Sequence, residues 1–167
     1  MTPIAHTSAA LLGWQVCADK KTIKTLVLFV LLSSLPDFDF LFGRHQFFTH
    51  NIFFALLAPL PFFYWFKHKR ERLGLYLVSF SHLVLDLLVI DRVKPIGIPL
   101  FYPLVSRYFN LGIFPNMERG PIPGIFSSQN LVALLLENLL FLLPVLLYFR
   151  RRFRAQWQNP VFWSWRS

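Results

Sequence analysis

The chain is 167 residues long, 55% hydrophobic and only 15% charged, with 20 phenylalanines and a mean hydropathy of +0.49. Soluble domains usually carry about 25% charged residues, so this composition excludes disorder and points to a membrane protein of a single domain. The net charge of +9 would suit a nucleic-acid binder, but the basic residues fall in three short blocks between apolar runs. These are Lys20, Lys21 and Lys24, then Lys67, Lys69, Arg70 and Arg72, then Arg150, Arg151, Arg152 and Arg154. Such clustering is the signature of membrane topology, and nucleic acid is not expected as a partner.

Five apolar segments follow in chain order. The first, Pro3 to Ala18, begins with a proline suited to an early helical turn and stops at Asp19-Lys20-Lys21. Its lone Cys17 excludes an intrachain disulfide. No basic start of a signal peptide precedes it, so the N-terminus is expected to be retained. The second segment runs from Thr22 to Leu35 and ends at Pro36. The third runs from Thr49 to Phe66, with Pro59 and Pro61 expected to kink it. The fourth spans Leu73 to Ile90, and the fifth Ser128 to Phe149. Between these two, the Pro/Gly-rich stretch from Asp91 to Gln129 reads as one long loop with room for a short helix.

The expected fold is therefore all-α: an integral membrane bundle of four to five short transmembrane helices with one long outer loop. Residues 1–154 form the membrane-embedded domain and 155–167 a tail. Segments three to five approach the ~20 residues that span a bilayer. Segments one and two are shorter, so they either span a thinned bilayer or form a hairpin inserted from one side. All three basic blocks fall on one side, which the positive-inside rule makes cytoplasmic. The N-terminus, the turn from Pro36 to Thr49 and the long loop then face outward. Trp157, Trp163 and Trp165 suit an interfacial belt, or else a disordered tail.

Apolar segments rarely carry His and Asp without a reason, because burying such groups unpaired is costly. Here they are His6, Asp37, Asp39, His45, His50, His82 and Asp86. Folding the segments up and down brings them to one level, near the outer end. His82 and Asp86, at i and i+4, share one helix face. Donors from one face completed by neighbouring helices are how bundles hold metals. Mixed His and Asp donors suit zinc before manganese or iron. The expected metal ligands are His6, Asp37, Asp39, His50, His82 and Asp86, with His45 as a further candidate, and so many donors leave room for two or more ions. Asp37 and Asp39 are also the catalytic candidates.

Each residue has a plainer reading. His6 could be a surface histidine, Asp37 and Asp39 a solvated turn or helix cap, and His45 a headgroup contact. His82 and Asp86 could be a hydrogen-bonded pair. His68, among lysines and arginine, is interfacial and on the opposite side. Glu137-Asn138 within segment five lies either near the site or against another helix. Arg44, Arg92, Arg107 and Arg119 lie in the outer loops, where they could steer an anion or simply be solvated.

Four motifs together resemble the YdjM-like family of inner-membrane metal-dependent hydrolases. After His6 come LPDFDF (Leu35–Phe40), HQFFTHN (His45–Asn51), SHLVLD (Ser81–Asp86) and GIPLFYP (Gly97–Pro103). They stand in the family's order and spacing over about residues 1–105. Two departures are visible: Phe40 stands where the family's LPDIDH ends in His, and Gln46 where an Arg is frequent. The resemblance implies a divalent metal, water activated by it as nucleophile, and, through a distant similarity to zinc-dependent phospholipases C and nucleases, a phosphoester or phospholipid-like substrate met at the membrane. The residues alone leave open a small transporter or metal- or proton-handling protein, and a structural membrane protein with a vestigial site. The crowding of polar groups at one end favours a one-sided site over a pathway. The oligomeric state is left open.

Overall fold

A computed structural model describes residues 3–42, 48–90, 95–114 and 127–157. Among these residues the regular elements are all helices, with isolated bridges at Val89–Phe114 and Ile98–Phe109 and a non-helical stretch over 95–114. Helix α1 (Pro3–Cys17) leads through a short turn to α2 (Ile23–Ser34), which continues as a 3-10 segment, Leu35–Phe42. A short α3 (Ile52–Leu57) is followed by a second 3-10 segment, Leu60–Tyr64. The longest uninterrupted helix is α4 (Lys69–Leu88). The chain returns as α5 (Ser128–Glu137), one π turn (Asn138–Leu142) and α6 (Leu143–Trp157). Pro59 and Pro61 break segment three into two pieces, because neither has an N–H for the ladder.

Helices α1, α2 and α4 pack together as the centre of the fold, with α3 against α4 and the π turn against α1. The core between the first three is built from Ala10, Cys17, Phe29, Leu32, Phe66, Leu75 and Val78. Small residues let α1 and α4 approach. A Cβ on Gly13 would collide with Val78, and one on Gly74 with Cys17. A second cluster of Ala55, Leu83 and Ile98 joins α3 and the long loop to α4.

The helix ends are secured by identifiable devices. Thr22 caps α2, and its side chain and that of Thr25 satisfy each other's backbone N–H groups. Asn51 caps α3 by accepting the Phe54 N–H at 2.9 Å. The C-terminal carbonyls of α4, orphaned as at any helix end, are met by the returning loop. Leu111 N–H reaches Leu87 O at 2.8 Å, and Ile113 and Phe114 N–H reach Leu88 O at 2.7 and 2.8 Å. Gly97, at φ 93°, permits the close approach of its backbone to Phe109. The long loop is thus tied to the end of α4 that carries His82 and Asp86.

The opposite end of the bundle is basic. There the buried Glu71 accepts the Asp19 N–H at 3.1 Å, Lys21 donates to the Trp14 and Ala18 carbonyls, and Arg70 donates to the Val16 carbonyl. His68 lies here, exposed, with Nε2 3.3 Å from Asp19. Among the described residues, one helix is long and apolar enough to cross a membrane, Asn130–Arg151. Glu137 is buried within it, and Asn138 turns back to the Leu134 carbonyl at 2.7 Å. Trp163 and Trp165 lie outside the described residues, as do Arg44, His45, Gln46, Arg92 and Arg119. Arg107 is exposed, with its guanidinium 5.9 Å from the centre of the Phe109 ring.

Candidate metal centre

Three parts of the chain converge at one end of the bundle. The first is the 3-10 segment after α2. Pro36 follows the last turn of α2, and the tighter winding places successive residues ~120° apart. Asp37 and Asp39, two residues apart, therefore diverge. The second is His50, immediately before the Asn51 cap and outside α3, so it is presented from the turn that leads into the helix. The third is the face of α4 bearing His82 and Asp86, one helical turn apart.

Asp37, His50, His82 and Asp86 each present one ligand atom, and these four atoms lie within 4.8 Å of one another. The Nε2 atoms of His50 and His82 are 3.1 Å apart. Asp86 Oδ2 is 3.3 Å from both. Asp37 Oδ1 is 3.5 Å from His50 Nε2 and 3.6 Å from His82 Nε2. His50 and His82 are fully buried, while the Asp37 side chain is 34% exposed and so marks the open side of the group.

The far nitrogens of both rings explain why the near ones meet. His82 Nδ1 is 2.7 Å from the Ser33 carbonyl, which only accepts, so Nδ1 carries the proton and Nε2 presents a lone pair. His50 Nδ1 is 3.2 Å from Asp39 Oδ2, and Thr49 Oγ donates to the same carboxylate at 2.9 Å. A carboxylate or carbonyl behind each imidazole is the arrangement that orients a metal-ligating histidine. Two imidazole nitrogens and two carboxylate oxygens then face a common point. Such a set repels itself unless a cation, or a proton on one imidazole, sits between.

The donor set could hold a divalent metal ion. Ligands ~2.0–2.1 Å from zinc at tetrahedral angles stand about 3.3–3.4 Å from one another. Five of the six separations, from 3.1 to 3.6 Å, lie near that value, and the sixth, between the Asp37 and Asp86 oxygens, is within 4.8 Å. Nitrogen and oxygen donors in equal number suit zinc, and two imidazoles disfavour magnesium or calcium. For Asp37, burial by itself raises the pKa. The hydrogen bond with His50 and the charges of His82 and His6 outweigh it, so the carboxyl stands below its ordinary range and ready to ligate.

The remaining sequence candidates fall elsewhere. Asp39 stands behind His50 and is not among the four. His6, on α1, stacks on the His82 ring, with centroids 4.1 Å apart and planes at 21°, and its Nε2 is 3.4 Å from Asp86 Oδ1. His45 lies outside the described residues. Two contributors were missed in the sequence. The Ser33 contribution is a backbone carbonyl, which leaves no side-chain signal. Thr49 lay inside a quoted motif, but its bond to Asp39 is visible only in three dimensions.

A helical protein with a buried His/Asp centre and, among the described residues, one membrane-capable helix is the class these features define. The family model of the YdjM inner membrane protein matches residues 1–157, and the chain belongs to that family. No curated protein and no solved structure matches it.

Proposed function

We propose that this chain is a membrane-embedded, metal-dependent hydrolase acting on phosphoesters, including phospholipid-like ones. The observation that carries the reading is the convergence of four donor atoms from Asp37, His50, His82 and Asp86, with Asp39 and the Ser33 carbonyl holding the two imidazoles from behind. A divalent ion held there supplies a Lewis acid and lowers the pKa of water toward neutrality. His50, His82 and Asp86 would hold it, and Asp37, on the open side, would complete the set and is placed to accept a proton from an incoming water. The phosphoester class comes from the family resemblance and from the need to bring an anion to this cation.

Several features support a multi-pass arrangement with the site toward the outer face of the inner membrane. Ile23, Val27 and Leu31 form an exposed apolar stripe at helical spacing on α2, and Leu73, Leu77 and Val84 are exposed on α4. Such faces suit lipid. The basic residues gather at the end opposite the site, the end that the positive-inside rule assigns to the cytoplasm. The charged first turn of α4, Lys69 to Arg72, and the His82 and Asp86 of the site together lower its apolarity.

The test is a screen of the purified, zinc-loaded protein against phosphomonoesters, phosphodiesters and phospholipid vesicles. The expected result is turnover of one class, abolished by a chelator and restored by zinc. Firmly held metal with no turnover across the panel would overturn the hydrolase and favour a metal-handling protein.

A further inference from the structure

Two basic turns far apart in the chain meet at the end of the bundle opposite the site. The Asp19 N–H donates to Glu71 Oε1 at 3.1 Å, His68 Nε2 stands 3.3 Å from Asp19 Oδ2, and Arg70 donates to the Val16 carbonyl. The turn between α1 and α2 is thereby fastened to the first turn of α4, and residues 19–24 and 67–72 present one surface. Both carboxylates of that surface, Asp19 and Glu71, are engaged in these contacts. Some of its cations are engaged as well. Lys21 and Arg70 donate to carbonyls at the end of α1, and Arg72 donates to the Phe66 carbonyl at 2.8 Å. Lys20, Lys24, Lys67 and Lys69 differ. All are exposed, and among the described residues none has a carbonyl or carboxylate partner.

The surroundings of these lysines identify the anion they fit. Tyr64, 88% exposed, and Trp65, 62% exposed, stand just before Lys67, and aromatic rings of this kind beside cations mark the headgroup layer of a bilayer. Ile23, next to Lys24, begins the exposed apolar stripe of α2, and Leu73, one turn beyond Lys69, begins that of α4. A ligand here meets cations at one end and a hydrocarbon face at the other. Nucleic acid or free phosphate would use only the cations. We infer that Lys20, Lys24, Lys67 and Lys69 form one binding surface for anionic phospholipids, with headgroups on the lysines and acyl chains along α2 and α4. Lysines at this level favour anionic over zwitterionic lipid. The inference rests on the membrane-spanning reading but not on the metal or the chemistry of the His/Asp centre.

The experiment is the melting temperature of the full-length protein in non-ionic detergent, titrated with phosphatidylglycerol, phosphatidylcholine or inorganic phosphate. Phosphatidylglycerol should raise it by about 2–4 °C or more, the other two by much less, and high salt should shrink the difference. The pair Lys20→Gln, Lys24→Gln and the pair Lys67→Gln, Lys69→Gln should each reduce the shift. All four changes together should abolish it with metal content unchanged. Equal shifts from the two lipids in wild type would overturn the anionic surface. A full shift retained without the four lysines would place the lipid elsewhere and overturn it too. A shift reproduced by inorganic phosphate would leave a simple anion site in its place, and loss confined to one pair would overturn the shared surface. The wild-type comparison decides the matter even if a lysine variant fails to insert. Protein that stays dispersed without detergent would instead overturn the membrane-spanning reading beneath the inference.

Discussion

Asp39 Oδ2 lies 3.2 Å from His50 Nδ1, on the side of the ring turned away from the other ligands. This makes Asp39 a positioning residue, while Asp37, two residues earlier, reaches the opposite nitrogen of the same ring. Asp39→Asn keeps the shape but removes the charge that fixes the tautomer. Zinc affinity should fall about 10–100-fold, the usual cost of losing an outer-shell partner, with stoichiometry unchanged. Competition with a chelating dye measures it. An unchanged affinity would mean that Asp39 only decorates the turn.

The close approach of α1 and α4 depends on Gly13 and Gly74, where an added methyl would meet Val78 and Cys17. Gly74→Ala should destabilise the protein by about 1–3 kcal/mol through overpacking, lowering the melting temperature in detergent. Leu77→Ala, on the exposed face of the same helix, should shift stability by no more than about 0.5 kcal/mol. Equal effects would mean that α1 and α4 do not pack as described.

Much of this architecture is legible in the sequence, because periodicity and punctuation are local. Pro3, Pro36 and the basic turns mark the helix ends, and the i, i+4 spacing of His82 and Asp86 puts both on one face. The division of labour between Asp37 and Asp39 is not legible, since it depends on the 3-10 winding after Pro36. Nor is the Ser33 carbonyl, which any residue at that position would offer. The return of the loop onto Leu87 and Leu88 depends on tertiary hydrogen bonds that no periodicity records, whereas the break of segment three is marked by Pro59 and Pro61.

Topology can be read by cysteine labelling in a Cys17→Ser background. A cysteine at Leu104, highly exposed in the loop near the site, should react with an impermeant reagent added outside the cell. A cysteine at Lys69, in the basic turn, should react only after permeabilisation. Labelling of both from outside would sink the orientation.

Zinc retention should depend on pH in one direction. The imidazoles ligate only when deprotonated, so protons compete with the ion for His50 and His82. Binding should therefore weaken as pH falls. Affinity that rises on acidification would contradict the ligand set.

For catalysis, Asp37→Asn should lower turnover by roughly 10² or more, the scale of losing a positioned catalytic group. His68→Ala should stay within a few-fold of wild type, because that ring is exposed at the basic end against Asp19. The comparison requires protein shown to be folded and inserted. Equal activity for wild type and Asp37→Asn would remove Asp37 from the chemistry.

The most direct measurement is the metal content of purified wild type beside the double variant His82→Ala, Asp86→Ala, both verified as membrane-inserted. Wild type should carry zinc or a similar divalent ion. The double variant should carry almost none, since half of the four-donor set is gone. Equal metal in the two proteins, or none in wild type after zinc loading, would contradict the account at its centre.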